Sequence, residues 1–196
     1  MTPIRWLGVS VAVIALTGCA HGIVISPDLT TIQASGDAKP IAKNVGYYIS
    51  DEQRSSEVTT EGGGGDKVSY HPYRDTETAF YKMLSNVFTN VTVLKSANDA
   101  DELSKNNVVY VIKPTITTES SSPSPFTWPP TKFTVNLGLE VDDAKGQQVV
   151  TKQVAGQGAA EFDEFKHDFS LSGRRASQDA LLKMQGELQN APELKK

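Results

Sequence analysis

The sequence predicts an α+β domain, a two-layer sandwich in which a mixed, mainly antiparallel sheet carries helices packed on one face. Three observations lead there. Phe133, Val135, Leu137, Leu139 and Val141 alternate with Thr134, Asn136, Gly138 and Glu140, the period-two pattern of a strand with one dry face. Phe80, Leu84 and Val87 recur at helical spacing, with Tyr81 and Phe88 widening the stripe. Ala176, Ala180, Leu181, Met184 and Leu188 form a second such stripe. Each stripe needs an apolar surface to cover, and the dry face of a sheet supplies one.

Taken in chain order, residues 20–43 read as a tether passing into the first strand or loop. Ile23, Val24 and Ile25 are a short apolar run, cut by Pro27 and Asp28, and Gly36, Asp37 and Pro40 add turn signals. The stretch either holds the domain away from an anchor or packs against it. Val45, Tyr47 and Ile49 alternate as in a strand. Gly62 to Gly65 predict a flexible loop or a hairpin crossing, since four glycines hold no shape by their own propensity. Tyr73 to Phe88 is the best-defined helix, with Asp75 expected to cap its start and Pro72 just upstream. Val91, Val93 and Leu94 suggest a short strand, and Ala97 to Leu103 a turn of helix.

Val108 to Thr117 is rich in β-branched residues and fits a mostly buried strand, with Pro114 placing its end at an edge or bulge. Residues 118–130, with four prolines and a serine cluster, read as a loop containing Phe126 and Trp128. The strand through Phe133 to Val141 follows. Asp142 to Gly146 then form a turn, and a return strand runs on to Ala159. The last helix begins near Ser172. One domain over residues 44–190 suits this length, leaving 191–196 as a tail.

The 196 residues carry a formal charge of −4. A net acidic chain without clustered Lys and Arg is a poor binder of nucleic acid, and its body has no general attraction to anionic lipid. Any membrane contact is therefore expected from the N-terminus. There, Arg5 precedes an apolar run from Trp6 to Leu16, followed by Thr17, Gly18 and Cys19. That order matches an export signal over residues 1–18, and the run is too short for a confident spanning helix. Cys19 is the only cysteine, so an exported chain has no intramolecular disulfide partner for it.

Leu16-Thr17-Gly18-Cys19 resembles the lipobox of bacterial lipoproteins. The resemblance implies cleavage before Cys19, acylation of its sulfur, and stable anchoring through several acyl chains. The lipid bilayer is then the partner of Cys19, and residues 19–43 are the lipidated N-terminus and tether. By the same resemblance Ala20, standing where an Asp would retain the protein elsewhere, implies the outer membrane of a diderm bacterium but not which leaflet is exposed; a periplasm-facing domain is the expectation. The helix before Val91, the Val108–Thr117 strand, the Asp142–Gly146 turn and the closing helix are similar to small periplasmic lipoprotein domains, of the YajG type and of the curli-export family. That topology carries no catalytic residues with it.

Catalytic chemistry is not expected. His21, His71 and His167 have no metal-ligand spacing, and no serine sits in a nucleophile elbow. The glycine run lacks the Lys-Ser/Thr ending of a phosphate loop. Asp142, Asp143 and Gly146 lack the alternating oxygen ligands of a calcium loop. No cofactor and no metal are expected. Tyr70, His71, Tyr73 and Arg74 either line a recognition patch or serve capping and core packing. Phe126 and Trp128 are either partner contacts or fold back on their own core. The leading expectation is a non-enzymatic, membrane-anchored accessory or assembly factor of the cell envelope, with an envelope protein as partner. The alternatives are a small hydrolase acting on cell-wall or surface polysaccharide, and a structural periplasmic spacer.

Overall fold

The computed structural model describes residues 20–34, 36, 38–62, 67–122 and 131–196. The leader, Cys19, Phe126 and Trp128 lie outside the described residues. Eight strands and five helices follow in chain order: β1 (His21–Gly22), β2 (Ile41–Tyr47), α1 (Asp51–Ser55), β3 (Val58–Glu61), β4 (Lys67–Tyr70), α2 (Pro72–Val87), β5 (Phe88–Val93), α3 (Ala100–Lys105), β6 (Tyr110–Ser121), β7 (Thr131–Asp143), β8 (Gln148–Ala160), α4 (Phe162–Phe165) and α5 (Leu171–Asn190).

The main sheet has the order β5-β2-β6-β7-β8. Its β5-β2-β6 part is parallel, and β6-β7-β8 is a long antiparallel meander in which Tyr110 to Ser121 pair with Asp143 to Lys132. A small sheet of order β1-β4-β3 abuts the far end of β6. The expected α+β class, mixed sheet and one helix-covered face are all present. The alternating residues Phe133, Val135, Leu137, Leu139 and Val141 are almost wholly buried and meet Phe80, Met83, Leu84, Ala180 and Met184 from α2 and α5 in one core. On the other face, Leu94, Leu103, Val108 and Val111 make a smaller cluster under α3.

Two glycines set the distance between α5 and the sheet. β8 presents Gly156 and Gly158 where the helix crosses. A Cβ at Gly156 would stand 2.2 Å from the Ala176 carbonyl oxygen, and one at Gly158 2.0 Å from that of Ser172. Only residues without a side chain permit backbone to approach this closely. From that position, α5 also seals the sheet's edge: Asp179 accepts from Gln157 N at 2.8 Å, and Lys183 and Arg175 donate to the carbonyls of Ala155 and Ala159 at 3.0 and 2.6 Å. The bare edge of β8 is thus bound by side chains between Ala155 and Ala159.

Several boundaries move from their expected places. Residues 20–34 pack against the body: Ile25 and Ile32 are fully buried, and β1 pairs in parallel with β4 through His21↔Val68 and Gly22↔Ser69. The domain therefore begins well before residue 44. At the other end, Ala191 and Leu194 are also fully buried, so the chain packs on the core as far as Leu194 and only Lys195 and Lys196 remain as a tail. Strand β6 continues past Pro114 to Ser121, shortening the expected loop at 118. Pro114 is tolerated because β2 leaves after Ile112. The missing N–H falls on the same vacated side as Ile116 N, which donates instead to the Tyr73 hydroxyl. Asp75 is one turn inside α2, where Oδ2 accepts from His71 N and from Ile25 N, while the N-cap residue is His71.

Candidate functional site

The four residues singled out between the glycine run and α2 separate into two kinds. Tyr70 is 1% exposed, its ring tilted against Phe133 and its hydroxyl 2.7 Å from Thr118 Oγ1. Burial pushes its phenol pKa up, with the Thr118 and Thr60 hydroxyls opposing. Tyr73 is half-buried and its hydroxyl accepts from β6. Both tyrosines join the small sheet and α2 to the meander. His71 is half-buried and Arg74 exposed, with Arg74 Nη2 2.8 Å from His71 Nδ1 and Arg74 Nε 3.6 Å from Asp75 Oδ1. Phe126 and Trp128 belong to the segment between Ser122 and Thr131, outside the described residues.

The glycine run from residue 63 also lies outside the described residues; the described residues flanking it, those flanking 123–130 and His21 lie at one end of the fold. Ser120 Oγ donates to the Glu61 carbonyl, and Glu61 pairs with Lys67 across the antiparallel β3-β4 hairpin. Lys67 adjoins Val68, the partner of His21. Thr131 pairs with Ala160, which leads into α4 and Phe169, and the His21 ring stacks on Phe169 at 4.3 Å. An open cleft of about 510 Å³ lies at this end, lined among others by Thr60, Glu61, Lys67, Thr118, Ser120 and Lys132. Its mixed hydroxyls and charges show none of the enclosed apolar walls of a small-molecule pocket.

A half-buried charge network lies against the N-terminal half of α2. Arg54, on α1, donates from Nε and Nη2 to the two Glu77 oxygens at 2.8 Å each and from Nη1 to the Ile49 carbonyl at 2.6 Å. Tyr47 donates to Glu77 Oε1 at 3.1 Å. The Arg54 hydrogen bonds hold the Glu77 carboxyl below its ordinary range, while burial and Glu77 push the Tyr47 phenol up. A carboxylate gripped on both oxygens by Arg54 and capped by Tyr47 is largely committed within the fold, so the network reads as a strut. Sequence reasoning missed it, because Arg54 and Glu77 sit 23 residues apart on different helices.

The other acids noted in the sequence are also engaged. Asp142 meets Lys113 at 2.7 Å, and Asp143 Oδ1 accepts from Lys145 N and Gln147 N to close the turn at Gly146, where φ is +78°. His167 Nδ1 lies 2.7 Å from the Asp163 carbonyl oxygen. Among the described residues no group of three or more His, Cys, Asp or Glu could hold a metal ion. No described helix is long and apolar enough to cross a membrane.

No family model matches the chain, and no curated protein matches it in sequence. Solved structures with a similar fold include a minor lipoprotein of Acinetobacter baumannii, at 9% identity over 77% of this chain and 93% of that one, with a TM-score of 0.46. Uncharacterized lipoprotein B of Nitrosomonas europaea is similar at 8% identity over 78% and 86%, with a TM-score of 0.46. A candidate lipoprotein of Caulobacter crescentus is 14% identical over 42% of this chain and 65% of its own length, with a TM-score of 0.33. Likenesses this distant carry neither activity nor partner across.

Proposed function

We propose that this chain is a bacterial envelope lipoprotein, held at the outer membrane through acylated Cys19, whose domain serves as a non-enzymatic accessory or assembly factor. The observation that carries the reading is the sequence Leu16-Thr17-Gly18-Cys19 behind a short basic and apolar leader, followed two residues later by the first strand of a folded domain. A diacylated cysteine anchors stably where a single chain would not. The accessory role is supported by side chains that are spent on structure: Glu77, Asp142, Asp143 and Tyr70 are tied to partners within the fold. The residues offered to a partner are half-buried His71 and exposed Arg74, together with Phe126 and Trp128 in the proline-rich segment.

The test compares the mass and membrane fractionation of the wild-type protein and Cys19→Ala. Acyl mass and membrane association should both disappear in the variant. Unchanged membrane retention would remove the anchor from the reading. A photocrosslinker at Trp128 should then yield a specific envelope-protein adduct, and a featureless result there would favour a spacer.

A further inference from the structure

The described residues leave almost no chain between the anchor cysteine and the body. Cys19 is two residues from His21, a reach of at most about 7 Å. His21 itself is fixed, paired in β1 with Val68 and stacked on Phe169, which in turn meets Phe165 edge-on at 4.8 Å. The headgroup layer of one leaflet is about 5–8 Å deep. An acylated Cys19 at the hydrocarbon boundary therefore cannot hold His21 farther out than the headgroups.

Resting on the lipid-anchor reading, we propose that the end of the domain formed by Ala20–Gly22, the start of β4 and residues 161–169 is seated on the bilayer surface, with lipid headgroups as its partner. The charges at this end suit the contact. The chain is net acidic, yet three of the four acids in residues 161–169 are each matched by a base, Asp163 by Lys166 at 2.5 Å, Glu164 by Arg175 at 3.0 Å and Asp168 by Arg174 at 2.5 Å, leaving exposed Glu161 with Lys67 as the nearby base of this end. Local neutralisation removes the repulsion that an acidic face would meet from anionic headgroups. Lys67 and His167 are exposed beside these pairs. Apolar area is present too, since Val24, two residues beyond β1, is 56% exposed.

The test places single tryptophan reporters in the full chain, processed by a bacterial host. Trp6 leaves with the leader, and Trp128→Phe removes the other native tryptophan. Phe162→Trp and His167→Trp report the proposed seat, the second standing if the first perturbs α4. Lys145→Trp reports the far turn, about 40 Å away along the 13 residues of β7. Each protein is reconstituted in phosphatidylethanolamine–phosphatidylglycerol vesicles with and without brominated acyl chains. Bromine should lower the near-end fluorescence about twofold, as for side chains at interfacial depth, and leave Lys145→Trp unchanged. A 12-residue Gly-Ser insertion between Ala20 and His21, with a span of about 20 Å, should abolish the near-end quenching while acylation persists. Acylated, vesicle-bound protein whose near-end reporters are not quenched overturns the seat and leaves the anchor standing. Absence of acyl mass at Cys19 overturns the anchor itself, and the seat with it.

Discussion

At the scale of single residues, two kinds of glycine make opposite demands. Gly158→Ala pushes a methyl group into the Ser172 carbonyl and Ala176 N, 2.0 and 2.5 Å from the new carbon, so α5 must lift from β8. Overpacking of this kind should cost about 1–3 kcal/mol in urea unfolding. Gly186, inside α5, has nothing within 4 Å of the same added carbon, and Gly186→Ala should instead gain about 0.5–1 kcal/mol through helix propensity. Equal effects at the two positions would contradict the close helix–strand approach. The strut around Glu77 gives a prediction with a pH signature. Its folded pKa lies below the ordinary 4.5, so the unfolded chain takes up the proton first as pH falls. The stability it lends is complete above that ordinary value and is lost as pH drops through the depressed folded one. Arg54→Ala should cost about 1–2 kcal/mol at neutral pH, since both side chains are partly open to solvent, and should flatten the acid limb of the stability curve. A parallel downward shift at every pH would mean that Arg54 acts by packing alone.

Elements were legible in the sequence in proportion to how one-sided their environment is. The β7 alternation was plain because every second side chain enters one core, and the α2 stripe was plain for the same reason. The small sheet was not. β1 is only His21–Gly22, and β3 has no buried residue, so neither offers a period to read. In sequence the N-terminal stretch stays open between tether and packed segment because Ile25 and Ile32 fill the core from irregular chain, at a spacing belonging to no element. What holds that stretch is a buried amide clasp. Asn86 on α2 donates to the Ile32 carbonyl at 3.2 Å and to Gln185 Oε1 at 2.9 Å, and Gln185 on α5 donates to the Gln33 carbonyl at 2.9 Å. Of the residues marked for recognition, sequence could name the cluster Tyr70 to Arg74. It could not say that the tyrosines turn inward while Arg74 stays out, because that depends on where β6 lies. If residues 20–34 are part of the domain, Ile25→Ala should cost about 2–5 kcal/mol in chemical denaturation. A free tether would lose nothing.

On the scale of the whole molecule, the anchor and the fold are physically separable. Among the described residues the first fully buried side chain is Ile25, and the main core draws chiefly on β2, α2, α5 and the β6–β8 meander. On the proposed reading, acylation of Cys19 would change where the protein resides and not what holds its described core together. Cys19→Ala should therefore give a folded, water-soluble domain whose thermal midpoint matches that of the acylated protein in detergent to within about 2 °C, less than the shift expected from 1 kcal/mol at this chain length. Circular dichroism melts of the two forms make the comparison. The seat on the membrane sharpens the expectation. In the proposed seat, headgroup contacts would fall on residues already ordered through β1 pairing and the His21–Phe169 stack, so membrane binding would have little left to order and little stability to add. A Cys19→Ala protein melting many degrees lower would mean that lipid is part of the folded state, and that the end carrying β1 depends on the bilayer for its structure.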